Sequence, residues 1–113
     1  QQCSVAMKLL EQMPQFRVSP TMITYNATIS ACEKCQQWTD ALWLLGKMMH
    51  RRLAPNVITY SASISACEKF QQWREAFRLW RQMHQQRVTP NVITYNSLIS
   101  TCATSDRWKD SLR

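Results

Sequence analysis

The sequence has almost no glycine. Gly46 is the only one in 113 residues. A glycine-rich phosphate loop is therefore excluded, and the turns cannot be built on glycine. Acidic residues are also scarce, seven against fourteen Lys and Arg, for a formal net charge of +7. That excess favours a polyanionic partner, nucleic acid or an acidic surface, and says nothing about fold. No apolar run approaches the roughly 20 residues of a membrane span, so no membrane insertion is expected. No targeting segment is visible; the chain opens on Gln1, so this carries no information.

Catalytic groupings are lacking as well. The carboxylates Glu11, Glu33, Asp40, Glu68, Glu75, Asp106 and Asp110 are scattered. His50 and His84 have no partner four residues away to share a metal, and no Ser, Cys and His form a local signature. No enzyme activity, metal, cofactor or small-molecule substrate is expected from these residues. The five cysteines are odd in number and lack a disulfide-framework spacing, which points to a reducing compartment. Cys32-x-x-Cys35 is a lone pair with no second pair and no His at ligand spacing, a weak zinc or redox signal.

What the chain does have is repetition. Pro55 to Lys69 reads Pro-Asn-Val-Ile-Thr-Tyr-Ser-Ala-Ser-Ile-Ser-Ala-Cys-Glu-Lys, and close copies run from Pro20 to Lys34 and from Pro90 to Thr104. Tyr25, Tyr60 and Tyr95 set a period of 35, the mark of a stacked array in which each unit packs on its neighbours rather than around one central core.

Val-Ile-Thr-Tyr looks like a strand by propensity, but the longer pattern is helical. Tyr25, Ile29 and Cys32 fall at i, i+4, i+7, as do Tyr60, Ile64, Cys67 and Tyr95, Ile99, Cys102. Thr21, Asn56 and Asn91 are candidate N-caps. These signals predict helices at about 22–34, 57–69 and 92–103. A second set follows from Ala6, Leu9, Leu10, Met13 and their equivalents Ala41, Leu44, Leu45, Met48 and Ala76, Leu79, Trp80, Met83, predicting helices at about 4–13, 39–51 and 74–86. A further helix is expected to start near Trp108 and stop at Arg113. Trp38, Trp73 and Trp108 follow the inner turns and read as packing residues at the helix–helix corner. The fold class is all-α, a solenoid of antiparallel helix-turn-helix repeats.

The residues divide into 1–21, the second half of a repeat; full repeats 22–56 and 57–91; and a truncated repeat, 92–113. Cuts at those places would expose apolar faces, so an excerpt of a longer array is expected.

A 35-residue helical hairpin with Val-Ile-Thr-Tyr-Asn, Leu-Ile-Ser, Glu-Lys, Ala-Leu-x-Leu-Leu and Met, closing on Pro-Asn, resembles the pentatricopeptide repeat over essentially the whole chain. The tetratricopeptide repeat, with a period of 34 and a Trp…Leu-Gly…Tyr pattern, does not fit. The glycines usual in the family's two turns are replaced, for example by Cys35, Phe70 and Ser105.

The resemblance implies a right-handed superhelix that binds single-stranded RNA, about one base per unit. The family reads a base with the residue after the Tyr and with the residue after the Pro that closes the unit. Carried over, the readers are Asn26 with Asn56, and Ser61 with Asn91; Asn96 is left without its partner and Thr21 is the last residue of the leading half unit. By the family's pairing rule, Asn with Asn favours a pyrimidine and Ser with Asn favours adenine. Ile23, Ile58 and Ile93 would lie against the bases, and Lys34 and Lys69 would face phosphates; Thr104 replaces that lysine in the last unit. Read from the residues alone, Asn56 and Asn91 are equally N-caps, the isoleucines equally core, and the lysines equally cations suited to a helix C-terminus.

The family works mainly in mitochondria and chloroplasts, in RNA processing, stability, editing or translation. Two further roles remain open at this point: a protein–protein scaffold in a large organellar complex, and the recognition arm of a processing enzyme whose catalytic domain lies elsewhere.

Overall fold

The computed structural model describes residues 2–35 and 37–104. Among them are six α-helices and no strand: α1 (Gln2–Gln12), α2 (Met22–Lys34), α3 (Trp38–His50), α4 (Val57–Lys69), α5 (Trp73–Gln85) and α6 (Val92–Thr104), with a 3-10 turn, Met13–Phe16, after α1. The expected turn at Ser105-Asp106-Arg107 and helix from Trp108 lie outside the described residues. No described helix is long and apolar enough to cross a membrane.

The Val-Ile-Thr-Tyr segments are helical because each begins with a satisfied N-terminus. Tyr25, Tyr60 and Tyr95 each donate their N–H to the carbonyl of Thr21, Asn56 or Asn91 at 3.1 Å, closing the first helical turn. Two of the N–H groups that a helix start leaves over are taken by side chains. Asn56 Oδ1 accepts from Thr59 N–H at 3.1 Å, and Thr59 Oγ1 accepts from Asn56 N–H at 3.1 Å, a reciprocal box that Asn91 and Thr94 repeat. These caps hold the β-branched run in helix despite its strand propensity.

The repeated positions form the core. Tyr25, Ile29, Cys32 and Tyr60, Ile64, Cys67 are fully buried, facing Ala41, Leu44, Met48 and Ala76, Leu79, Met83 of the following helix. The core is two linked clusters: Leu45 of α3 packs into the α4/α5 cluster, Ala66 of α4 packs into the α2/α3 cluster, and Trp38 touches both. Trp38 and Trp73 are half-buried in this packing, as corner residues should be. At the ends the same positions emerge. Leu9, Tyr95 and Ile99 are exposed because no described helix lies over them.

The buried hydroxyls of Thr28, Ser63 and Thr101 each donate to the carbonyl four residues earlier at 2.9 Å, which makes their burial tolerable. The corners are closed without glycine. Leu53 N–H reaches Met48 O at 2.9 Å and Val88 N–H reaches Met83 O at 2.8 Å, the Schellman closure. The residue just before each donor is left-handed: Arg52 at φ 63° and Arg87 at φ 58°, with Arg17 in the equivalent place at φ 60°. The inner turn after α4 closes the same way through Gln72 N–H to Cys67 O at 2.9 Å, with Gln71 left-handed at φ 57°. This corrects the sequence reading of the missing glycines. Cys35 and Phe70 keep negative φ (−93° and −110°), and the position that needs glycine's freedom lies one residue later, at Gln71.

Packing places the candidate readers. α2 lies on α4 and α4 on α6, so the first helices form a continuous layer. α3 and α5 fill the other layer and meet at isolated contacts, such as Gln82 Nε2 to Met49 Sδ at 3.2 Å. The open face of the first-helix layer carries the candidate site.

Candidate nucleic-acid interface

Residues 30 apart in sequence meet at each junction between first helices. Asn26, one residue past the buried Tyr25, projects from the first turn of α2 toward the start of α4. There its Nδ2 donates to Asn56 Oδ1 at 3.2 Å. Ser61, one residue past the buried Tyr60, donates to Asn91 Oδ1 at 3.1 Å. The predicted reader pairs are thus brought together, twice, in the same geometry. Asn26, Asn56 and Asn91 are half-buried; Ser61, with its short side chain, is recessed to 3% exposure. Asn96 is exposed on α6, and Thr21 is exposed at the start of α2.

Asn56 and Asn91 are N-caps as well as members of these pairs. The cap uses only Oδ1, and the amide nitrogen is left pointing away from the helix it caps. The two readings of these residues are therefore compatible.

Sequence reasoning missed a third member. Thr59 Oγ1 donates to Asn26 Oδ1. Thr94 Oγ1 shares a hydrogen bond with Ser61 Oγ and also lies 3.0 Å from Asn91 Oδ1. Each junction is a triad of one residue from a first helix and two from the start of the next. The signal was present as Thr24, Thr59 and Thr94, repeating with the unit, but a threonine inside an apolar run reads as local capping.

Ile23, Ile58 and Ile93 are 78%, 55% and 57% exposed, so they are not core residues. They stand two residues after Thr21, Asn56 and Asn91, giving an apolar side chain beside each polar junction. An isoleucine on each side of a polar notch suits a flat solute with apolar faces and a polar edge.

The two lysines are placed differently. Lys34 is exposed at the end of α2. Lys69 Nζ lies 3.3 Å from Glu33 Oε2 of the preceding first helix, whose other oxygen accepts from Ser65 at 2.9 Å. Arg51, Arg52, Arg74, Arg78, Arg81 and Arg87 are all exposed, on or after the second helices; Arg78 pairs with Glu75, and Arg74 lies over the Trp73 ring at 5.2 Å. They contribute a general positive field.

No group of three metal-ligating side chains occurs among the described residues. Cys32 is buried in the α2/α3 cluster and Cys35 half-buried at its turn. Burial foremost, with Glu75 adding and Arg78 opposing, pushes the Cys67 thiol up to about 12 from 9.0, which keeps it neutral and inert.

Among solved structures the chain resembles the pentatricopeptide repeat protein PPR10 from maize, at a TM-score of 0.83 and 22% identity over 97% of this chain and 16% of that one. The same values hold against PPR10 in complex with an 18-nt psaJ RNA element. The chain thus spans about one-sixth of that protein's length. No curated protein matches. The model of the pentatricopeptide repeat domain family matches residues 2–35 and 43–105, and that of the single repeat matches 23–53. The chain belongs to the pentatricopeptide repeat family.

Proposed function

We propose that this chain is part of a longer array that binds single-stranded RNA, with one base taken at each junction. The observation that carries the reading is the convergence of Asn26 with Asn56 and of Ser61 with Asn91, each beside exposed isoleucines. The likeness to a protein solved with bound RNA, and the charge of +7, support it. The base at the first junction lies between Ile23 and Ile58 and that at the second between Ile58 and Ile93. The read along the chain is pyrimidine, with cytosine ahead of uracil, then adenine, then a pyrimidine at Asn96, running 5′ to 3′. Lys34 and Lys69 face the phosphates.

Two complete junctions give little specificity even at about 1–3 kcal/mol per stacked base, so the function belongs to the whole array. Its role is occupancy of a transcript in a mitochondrion or chloroplast, or delivery of other factors to it, and the segment itself performs no chemistry.

Crosslinking and sequencing of RNA bound to the full-length protein tests this. Enrichment over a pyrimidine–adenine step, lost when Asn26 and Ser61 become Ala, is the expected result. Recovery without RNA, at fixed stoichiometry in a large assembly, would identify a scaffold instead.

A further inference from the structure

We propose that Thr59 and Thr94 are specificity-determining positioning residues: each sets which hydrogen-bonding groups the preceding junction turns outward. The inference rests on the reading that these junctions meet RNA bases. Neither threonine needs to touch the base.

The argument starts from the backbone. Thr59 N–H belongs to the first turn of α4 and has no acceptor within the helix. Asn56 Oδ1 supplies one at 3.1 Å. An amide nitrogen cannot accept, so the orientation of the Asn56 side chain is fixed with its oxygen toward the helix and its NH2 away. The same oxygen takes Asn26 Nδ2 at 3.2 Å, so Asn26 must turn its nitrogen toward Asn56. Asn26 Oδ1 is then held by the Thr59 hydroxyl, which also receives Asn56 N–H.

Asn56 Oδ1 takes two donors within the triad, and the Thr59 hydroxyl takes one lone pair of Asn26 Oδ1 and fixes the amide's orientation. What remains for a base is one N–H of Asn26 and both N–H of Asn56, three donors against a single lone pair of Asn26 Oδ1 on the side of the clamp. A donor-rich edge is matched by adjacent acceptors, which cytosine presents as O2 and N3. The Watson–Crick edge of adenine presents an amino donor beside its acceptor and meets such an edge poorly.

The second junction has a mixed polarity from the same backbone. Asn91 Oδ1 accepts Thr94 N–H at 3.0 Å, which again sends the amide NH2 outward. Ser61 spends its hydrogen on Asn91 Oδ1 at 3.1 Å, leaving oxygen lone pairs, of which the Thr94 hydroxyl occupies at most one. The junction thus presents an acceptor beside donors, complementary to the amino group and N1 of adenine. A difference of one side chain, Asn26 against Ser61, changes the edge that fits because the threonine and the cap hold everything else constant.

Removing the Thr59 hydroxyl frees Asn26 Oδ1. The amide can then offer oxygen or nitrogen, and discrimination falls although no outward group has been deleted. The test uses the full-length protein and a pool of single-stranded RNA with randomised sequence, read by selection and sequencing. Thr59→Val is expected to cut the pyrimidine-over-adenine preference at the first junction by about three- to tenfold, the worth of one hydrogen bond, with the adenine preference at the second unchanged. Thr59→Ser is expected to restore it. Thr94→Val is expected to weaken the adenine preference at the second junction alone, which provides an independent variant should Thr59→Val fail to fold. Unaltered base preference in both valine variants, with wild-type preference evident at both junctions, overturns the proposal. A wild-type protein that enriches no base overturns the RNA reading itself, and the two failures are thereby distinct.

Discussion

Asn26 donates to Asn56 Oδ1 at 3.2 Å, and that oxygen is the one that caps α4 through Thr59 N–H. Ser61 and Asn91 repeat the relationship with a hydroxyl in place of the amide. Replacing Ser61 by Asn should therefore convert the second junction into a copy of the first. Ser61→Asn is expected to move the preference at that base from adenine to a pyrimidine while the array still folds, as checked by RNA selection and a melting curve. An unchanged adenine preference would count against Ser61 as a reader.

Ile58 and Ile64 lie on the same helix six residues apart and should behave in opposite ways. Ile64 is fully buried in the α4/α5 cluster, so Ile64→Ala should cost about 2–5 kcal/mol of stability. Ile58 is 55% exposed, so Ile58→Ala should leave stability within about 0.5 kcal/mol and weaken RNA binding. Denaturant titration and binding measurements on the two variants check the contrast.

Glu33 holds Lys69 at 3.3 Å, so a phosphate on this face must compete with a carboxylate. Glu33→Gln is expected to raise RNA affinity by a few-fold, in keeping with a half-exposed ion pair worth at most about 1 kcal/mol. It should also steepen the dependence of log Kd on log salt by about 0.7, one added phosphate contact to a single strand. Lys69→Ala should make the slope shallower.

Arg52 and Arg87 adopt left-handed backbone that glycine occupies without a steric cost. Arg52→Gly and Arg87→Gly should each stabilise the array by about 0.5–1 kcal/mol, measured in denaturant, since relief of strain outweighs the added freedom of the unfolded chain.

The Cys67 thiol is pushed up to about 12, above its ordinary 9.0, by burial. The folded state holds that proton more tightly than the unfolded one. Its contribution is complete below pH 9 and is lost as pH rises from 9 toward 12, at about 1.4 kcal/mol per pH unit for one proton. Stability measured from pH 8 to 10.5 should fall more steeply in wild type than in Cys67→Ala.

Helix positions were legible because period and caps agreed: α2 and α4 match their expected ranges, and α3 and α5 begin and end one residue earlier than expected. The burial of Tyr60 and Ile64 was legible for the same reason. Less legible was anything that depends on which atom of a side chain is used. Nothing in a string of letters says that Asn56 caps with its oxygen and keeps its nitrogen free, or that Thr59 reaches Asn26, because those contacts cross 30 or more residues and depend on how α2 is set against α4. The pairing of Lys69 with Glu33 was hidden likewise, since it joins successive first helices.

Each junction is shared between one unit and the first turn of the next, and this bears on how such arrays can be rearranged. A cassette cut as 22–56 carries Asn26 and Asn56 but leaves Thr59 behind, so the seam runs through the middle of a junction. On the reading proposed above, grafts between arrays that ignore this overlap would import a reader without its clamp. Moving the boundary a few residues later, past Thr59, keeps all three side chains on one insert, and the proposed specificity should then travel with it.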